Sequence, residues 1–175
     1  EVDAIIHVLR CFEASDVTHV EGSIDPVRDA DVVETELMLA DLESLEKRLL
    51  AAQKKARGGD KESIAAVALM EPLVAALQDG RPARTAIPAG QEEAVRRLQL
   101  LTSKPVLYVC NVEEAAAASG NSFADAVAVR ARQEGARCVI VSAAIEAEVA
   151  QLPMEEQAEF LEGLGLHDSG LDRVI

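Results

Sequence analysis

Two short stretches hold residue types that can read the edge of a planar heterocycle. In the first, PVLYVCNVEE (105–114), a run of β-formers stops at Asn111 and a carboxylate follows three positions later at Glu114. An asparagine amide supplies a donor and an acceptor, and a carboxylate accepts from two adjacent N–H groups, which suits the hydrogen-bonding edge of a purine. In the second, RCVIVSA (137–143), another apolar run ends on Ser142-Ala143, where a turn presents backbone N–H groups. Asn-x-x-Glu recurs by chance and also reads as a plain strand exit. Its pairing with Ser-Ala at the end of the following strand-like run is the more specific signal.

Both stretches need a sheet to bring them together. The run DAIIHVLRCF (3–12) is almost continuously apolar, as expected of a strand buried on both faces. PVLYVCN and RCVIVSA read the same way, and NSFADAVAVRARQEG (121–135) between them reads as a helix. Strand, helix, strand predicts a parallel α/β sheet, and ligands of such sheets sit at the carboxyl ends of the strands. Acidic helices follow in IEAEVAQL and MEEQAEFLEGLG, and the small residues of EEAAAASGNS predict a mobile loop tip after Glu114.

Between the first and second strands the period changes. Met38, Leu42, Leu45, Leu49 and Ala52 recur at three- and four-residue spacing, a helical stripe and a short heptad of the coiled-coil kind. Gly58-Gly59 suits a helix end and Asp60 the cap of a second helix carrying Ile64, Val67, Val74 and Leu77. The short break predicts a helical hairpin, and a third helix is expected over 91–101. The chain therefore divides into an α/β part, 1–30 and 104–175, and a helical insertion, 31–103. The insertion holds twelve acidic and ten basic residues, so the α/β part carries most of the acidity.

Composition narrows the function classes. Of 175 residues, 49% are hydrophobic but only 2% aromatic, so the core is aliphatic and the composition argues against an aromatic platform for stacking nucleic-acid bases. A formal charge of −14 disfavours nonspecific contact with DNA or anionic lipid through the surface as a whole. A local basic patch remains open: Lys47, Arg48, Lys54, Lys55, Arg57 and Lys61 gather near the hairpin tip, as a phosphate contact or as a solvated, charge-balanced helix face. Cys11, Cys110 and Cys138 are far apart in sequence without CxxC spacing and read as buried, reduced thiols of a cytosolic protein. His7 reads as a core residue and His167 as a solvated one. No stretch reaches the ~20 apolar residues of a membrane span.

G domains place Asn-Lys-x-Asp after one strand and Ser-Ala after the next, the arrangement Asn111–Glu114 and Ser142-Ala143 resemble. The segments DAIIHVLRCFE, HVEGSIDPVRD, ETELMLADLESLEKRL, GGDKES, LTSKPVLYVCNVEE, SAAIEAE and GLDRVI together closely resemble the YchF/Obg-like ATPase family, in order and from end to end. The resemblance implies the C-terminal part of a P-loop NTPase, G-domain-like, with an inserted α-helical hairpin or coiled-coil domain. It implies ATP or GTP as ligand, Mg²⁺ held by residues upstream of this chain, a cytoplasmic location and the ribosome as partner; the candidate RNA contact, through Lys54, Lys55 and Arg57, rests on the basic cluster and not on the resemblance. It further implies that Asn111 reaches the adenine, Val112 contacts the base, Phe12 packs on its ring, and Ser142 and Ala143 form the second base loop. Phe12 also reads as a core plug at a strand end. His19 matches a histidine that the family uses in place of a catalytic glutamine to orient the attacking water; it also reads as a loop residue packing locally.

The sequence departs from the G-domain pattern at two points. Val112 replaces the lysine, and Glu114 is one methylene longer than the aspartate. A charged hydrogen bond is worth roughly 1.5–3 kcal/mol and is easily lost by such a displacement, so guanine selectivity is expected to relax or reverse toward adenine. Ala144 removes a stacking stem after Ser-Ala. The chain contains neither G-x-x-x-x-G-K-[ST] nor D-x-x-G, the motifs that cradle phosphates and position Mg²⁺. A piece of a longer protein is therefore expected, with a P-loop before Glu1 and a TGS domain after Ile175, and with no hydrolysis by this stretch alone. The other reading is a helical-hairpin module that binds ribosome, RNA or protein without activity of its own.

Overall fold

Three strands rich in β-branched residues, β1 (Ile5–Arg10), β2 (Val106–Asn111) and β3 (Arg137–Val141), form one sheet in that order. The computed structural model describes residues 2–13 and 24–174. β2 and β3 are parallel, with Cys110 opposite Ile140 and Asn111 opposite Val141. Ile5 N–H donates to Pro105 O at 3.0 Å and Cys11 N–H to Asn111 O at 2.8 Å, a constant offset that makes β1 parallel to β2 as well. The α/β expectation holds. Contacts divide the chain into two compact units, Glu1–Ile5 with Asp31–Pro105 and Ile6–Ala30 with Val106–Ile175.

In the α/β unit, α4 (Ser122–Glu134) links β2 to β3, capped by Asn121 and closed by Gly135 in the left-handed conformation. Its Ala124, Val127 and Ala131 bury against Leu9, Cys11, Tyr108, Cys110 and Val112 from the sheet. The first strand is shorter than the apolar run suggests, and its two faces differ. Leu9 and Cys11 are 3% and 0% exposed beneath α4, whereas Ile6 and Val8 are 55% and 62% exposed. Their face borders a groove of about 570 Å³ with Val109, Val141, Val149 and Leu161. Burial on both faces is thus corrected to burial on one, among the described residues. His7 is half-buried beside Tyr108, ring centroids 5.8 Å apart, rather than a core residue. Three further helices, α5 (Ala143–Val149), α6 (Met154–Gly163) and α7 (Gly170–Val174), complete the unit.

The loop after Glu114 is packed at Ala116 and Ala117 and exposed at its tip, Ala118 and Ser119. It opens with a 3₁₀ turn, Glu114–Ala116, and Ala116 and Ala117 are each 5% exposed. Gly120 has φ +76°, and a Cβ there would stand 2.8 Å from Ile140 Cδ1. Only glycine meets both demands. At Ala116, Ala117 and Gly120 small residues allow close approach.

The other unit is built on a hairpin of α1 (Pro26–Ala56) and α2 (Lys61–Gln78). The helical pattern is first evident at Asp31, but α1 begins at Pro26, because proline suits the first helical position and Asp25 Oδ1 accepts from Arg28 N–H at 3.0 Å. Asp60 caps α2 through Ser63 N–H at 3.0 Å. Leu45 packs on Leu69, Met70, Leu73, Val74 and Leu77, with Met38, Leu42, Leu49 and Ala52 around it. Ile64, expected on that stripe, is 50% exposed. The helix expected over 91–101 is only α3 (Glu92–Arg96). The cause is Asp41, 4% exposed, whose carboxylate accepts from Leu101 N–H at 2.8 Å, Thr102 N–H at 2.7 Å and Thr102 Oγ1 at 2.7 Å. Gln99 turns to φ +58° just before this, which no helix permits. A buried carboxylate held by three donors outweighs the modest helical propensity of residues 97–101.

Two measurements test these contacts. Asp41→Ala leaves three donors without a partner, two of them on buried Thr102, and is expected to cost about 3 kcal/mol in urea denaturation; a cost below about 1 kcal/mol would mean that water replaces the carboxylate. Tyr108, the only tyrosine, is 2% exposed and donates to Glu134 Oε2 at 2.8 Å. Burial first, then the Glu134 hydrogen bond, push its phenol from 10.0 up to about 12. The folded state thus holds the proton more tightly, so this contribution to stability is full below pH 10 and lost as pH rises toward 12. Absorbance titration is expected to find the phenolate forming near pH 12, not near its ordinary 10.

Candidate nucleotide-base site

Asn111 ends β2 opposite Val141, which ends β3, so the loops that follow start side by side. The register continues one residue further, as Val112 N–H donates to Val141 O at 2.9 Å. Asn111 Oδ1 then accepts from Ala143 N–H at 2.9 Å. This bond joins the Asn-Val-Glu-Glu loop to the Ser-Ala loop, and it fixes the amide orientation by committing the oxygen. The Nδ2 group of Asn111 has no acceptor among the described residues. Ser142 is 3% exposed, and its Oγ is buried with no hydrogen-bond partner among the described residues. A buried hydroxyl without a partner costs roughly 1–3 kcal/mol. The two loops therefore hold an amide donor and, beneath the surface, a hydroxyl whose hydrogen-bonding capacity is unspent.

The remaining sequence-predicted residues fall into four groups. Phe12 lies just past β1, half-buried, with the Arg10 guanidinium carbon 6.0 Å from its ring centroid. It belongs to none of the buried clusters among the described residues, which disfavours the core-plug reading. Glu114 is exposed at the start of the 3₁₀ turn, and Ala143 is exposed at the start of α5. Val112 is the correction. Its side chain is 2% exposed and packed in the core with Leu9, Cys11 and Cys110. Strand alternation sends residue 112 to the same inner face as residue 110, so a side-chain contact with a base is replaced by a core contact. His19 lies outside the described residues.

One residue matters here that lies outside both loop motifs. Asn121 Nδ2 donates to Cys11 O at 2.7 Å and to Glu113 Oε2 at 3.1 Å, tying the exit of β1 to the Asn111 loop. The available signal was an Asn directly before a helical run, read only as the helix start.

The three cysteines, distant in sequence, meet on the inner face of the sheet. All are free thiols, and Cys110 Sγ is 3.5 Å from Cys138 Sγ. The hydrogen bond to Cys11 is the largest cause of a Cys110 thiol pushed up to about 12, with burial adding to it. The same bond is the largest cause of Cys11 lying below its ordinary value. Both are 0% exposed, so neither is presented to solvent as a nucleophile. Among the described residues no group of three or more His, Cys, Asp or Glu side chains could hold a metal ion, and no helix is long and apolar enough to cross a membrane.

No family model matches the chain. It is 44% identical over 176 residues to the ribosome-binding ATPase YchF of Haemophilus influenzae, covering 100% of this chain and 48% of the relative. Against the Bacillus subtilis protein of the same name it is 42% identical over 178 residues, 100% of this chain and 49% of the relative. The solved structure of the Schizosaccharomyces pombe YchF GTPase matches with a TM-score of 0.84 at 30% identity, over 99% of this chain and 48% of that one. The chain spans about half the length of the curated relatives it matches. Matched end to end in both sequence and fold, the chain belongs to the YchF/Obg-like family.

Proposed function

We propose that the protein to which this chain belongs binds and hydrolyses a nucleoside triphosphate, with ATP preferred, as a ribosome-associated switch in the cytoplasm. In this reading the α/β unit, proposed as 1–30 with 104–175, carries the base-reading half of the site, and 31–103 is an inserted helical domain. The observation that carries it is the 2.9 Å bond from Ala143 N–H to Asn111 Oδ1, which locks two strand-end loops around an unspent amide donor and an unpartnered buried hydroxyl. The names of the relatives, ribosome-binding ATPase and GTPase, support the activity and the partner. Asn111, Glu114, Ser142 and Ala143 face the base from the two loops and Phe12 packs on its ring, with residue 112 contributing only main chain. His19 orients the attacking water. Phosphates and Mg²⁺ are held by a P-loop outside this stretch, so these 175 residues alone do not turn over nucleotide.

A second reading rests on the hairpin tip. Lys54, Lys55 and Arg57 are exposed and form no ion pair among the described residues. Lys47 and Arg48, from the same sequence cluster, are engaged instead, the one with Glu43 at 2.6 Å and the other with Leu98 O at 2.7 Å. The tip thus offers three cations to ribosomal RNA phosphates, and the nucleotide site and the hairpin serve one protein.

Calorimetry on the complete protein is expected to show ATP bound more tightly than GTP, and Asn111→Ala is expected to weaken ATP about tenfold, the equivalent of ~1.4 kcal/mol. Much tighter GTP binding, or an unchanged Asn111→Ala variant, would refute the base site. His19→Ala is expected to keep nucleotide affinity and lose turnover by at least about 100-fold; unaltered turnover reassigns His19 to packing. Reversing Lys54, Lys55 and Arg57 to Glu is expected to lower ribosome co-sedimentation, and undiminished binding places the contact elsewhere.

A further inference from the structure

We infer that Asn121 is a positioning residue for the base site, holding Phe12 in register with the Asn111–Glu114 loop. The inference rests on the base-site reading above and adds to it a residue outside both loops. Asn121 caps α4 by accepting from Ala124 N–H through Oδ1 at 3.0 Å. A cap needs only that acceptor, and serine or aspartate supplies it about as well. The rest of the side chain does something a cap does not require. Its two Nδ2 hydrogens serve two acceptors, Cys11 O at 2.7 Å and Glu113 Oε2 at 3.1 Å. Both donors of the amide are therefore spent, and its orientation is fixed because neither Ala124 N–H nor Cys11 O tolerates the flipped form.

The consequence is geometric. Cys11 C=O shares its peptide plane with Phe12 N, so the bond from Asn121 sets the plane that launches Phe12. Cys11 N–H is held separately by Asn111 O at 2.8 Å. Glu113 stands between Val112 and Glu114 in the base loop. One side chain thus ties the Phe12 backbone and the base loop to the first turn of α4, a rigid helix whose inner face is buried. Serine at this position keeps the cap and is too short to reach Cys11 O and Glu113 together.

The test is steady-state ATP hydrolysis by the complete protein, with thermal unfolding alongside. Asn121→Ser is expected to raise KM for ATP about tenfold while kcat changes less than about twofold and the unfolding temperature is retained. Glu113→Ala, at an exposed position, removes one acceptor without touching the cap and is expected to raise KM about threefold; it keeps the proposal testable if Asn121→Ser unfolds. Asn111→Ala separates the two claims. If it raises KM while Asn121→Ser and Glu113→Ala leave KM unchanged, Asn121 is only a helix cap and the inference is overturned. If none of the three moves KM, the base-site reading fails and takes the inference with it.

Discussion

Parallel pairing of Asn111 with Val141 is the constraint from which the site follows. Two strands in this register end level, so their loops depart from one edge of the sheet, and a short side chain can bridge them. Slipping the register by one residue would turn Asn111 toward the other face and break the bond to Ala143 N–H. The register is held from beneath. Tyr108, Cys110 and Val112 alternate down into the core under α4, which is why Val112 cannot serve as a surface contact. The same alternation that lifts Asn111 out of the core commits its neighbour to it.

That trade explains what the sequence could and could not tell. Apolar runs at 105–111 and 137–141 and the helical stretch between them were enough to place parallel strands with ligand-facing ends, because buried parallel strands announce themselves by continuous hydrophobicity. The two base loops were legible as a pair of strand ends. Asn121 was not, because its second and third hydrogen bonds reach Cys11, 110 positions away, and Glu113, and no local pattern encodes them. The exposure of Ile6 and Val8 was equally hidden: hydrophobicity states what a side chain prefers, not whether the described residues supply a partner for it.

In the helical unit the shortening of the third helix has a long-range source. Propensity at 91–101 favours a helix, and Asp41, fifty or more residues earlier, overrules it by capturing the amides of Leu101 and Thr102. Thr102 then accepts from Ala83 N–H at 3.1 Å and, through its carbonyl, from Arg84 N–H at 3.0 Å. Arg84 is further fixed by Glu34 at 2.5 Å, with both side chains mostly buried. A polar chain from α1 through Thr102 to the 3₁₀ turn at Ala83–Ala86 therefore stands where a longer third helix would have been. Such networks are satisfied only as a whole, which gives a single structure at the expense of tolerance to substitution.

The trio of thiols beneath α4 has a practical meaning that its position in the core conceals. Cys11 and Cys110 are sealed from water, the one just past the end of β1 and the other within β2. A reagent that modifies them in the folded protein must wait for β1 and β2 to part from the helix above. The rate of labelling then measures how often the sheet opens, without any engineered probe. The natural sequence carries its own stopwatch for the breathing of the element on which the base loops stand.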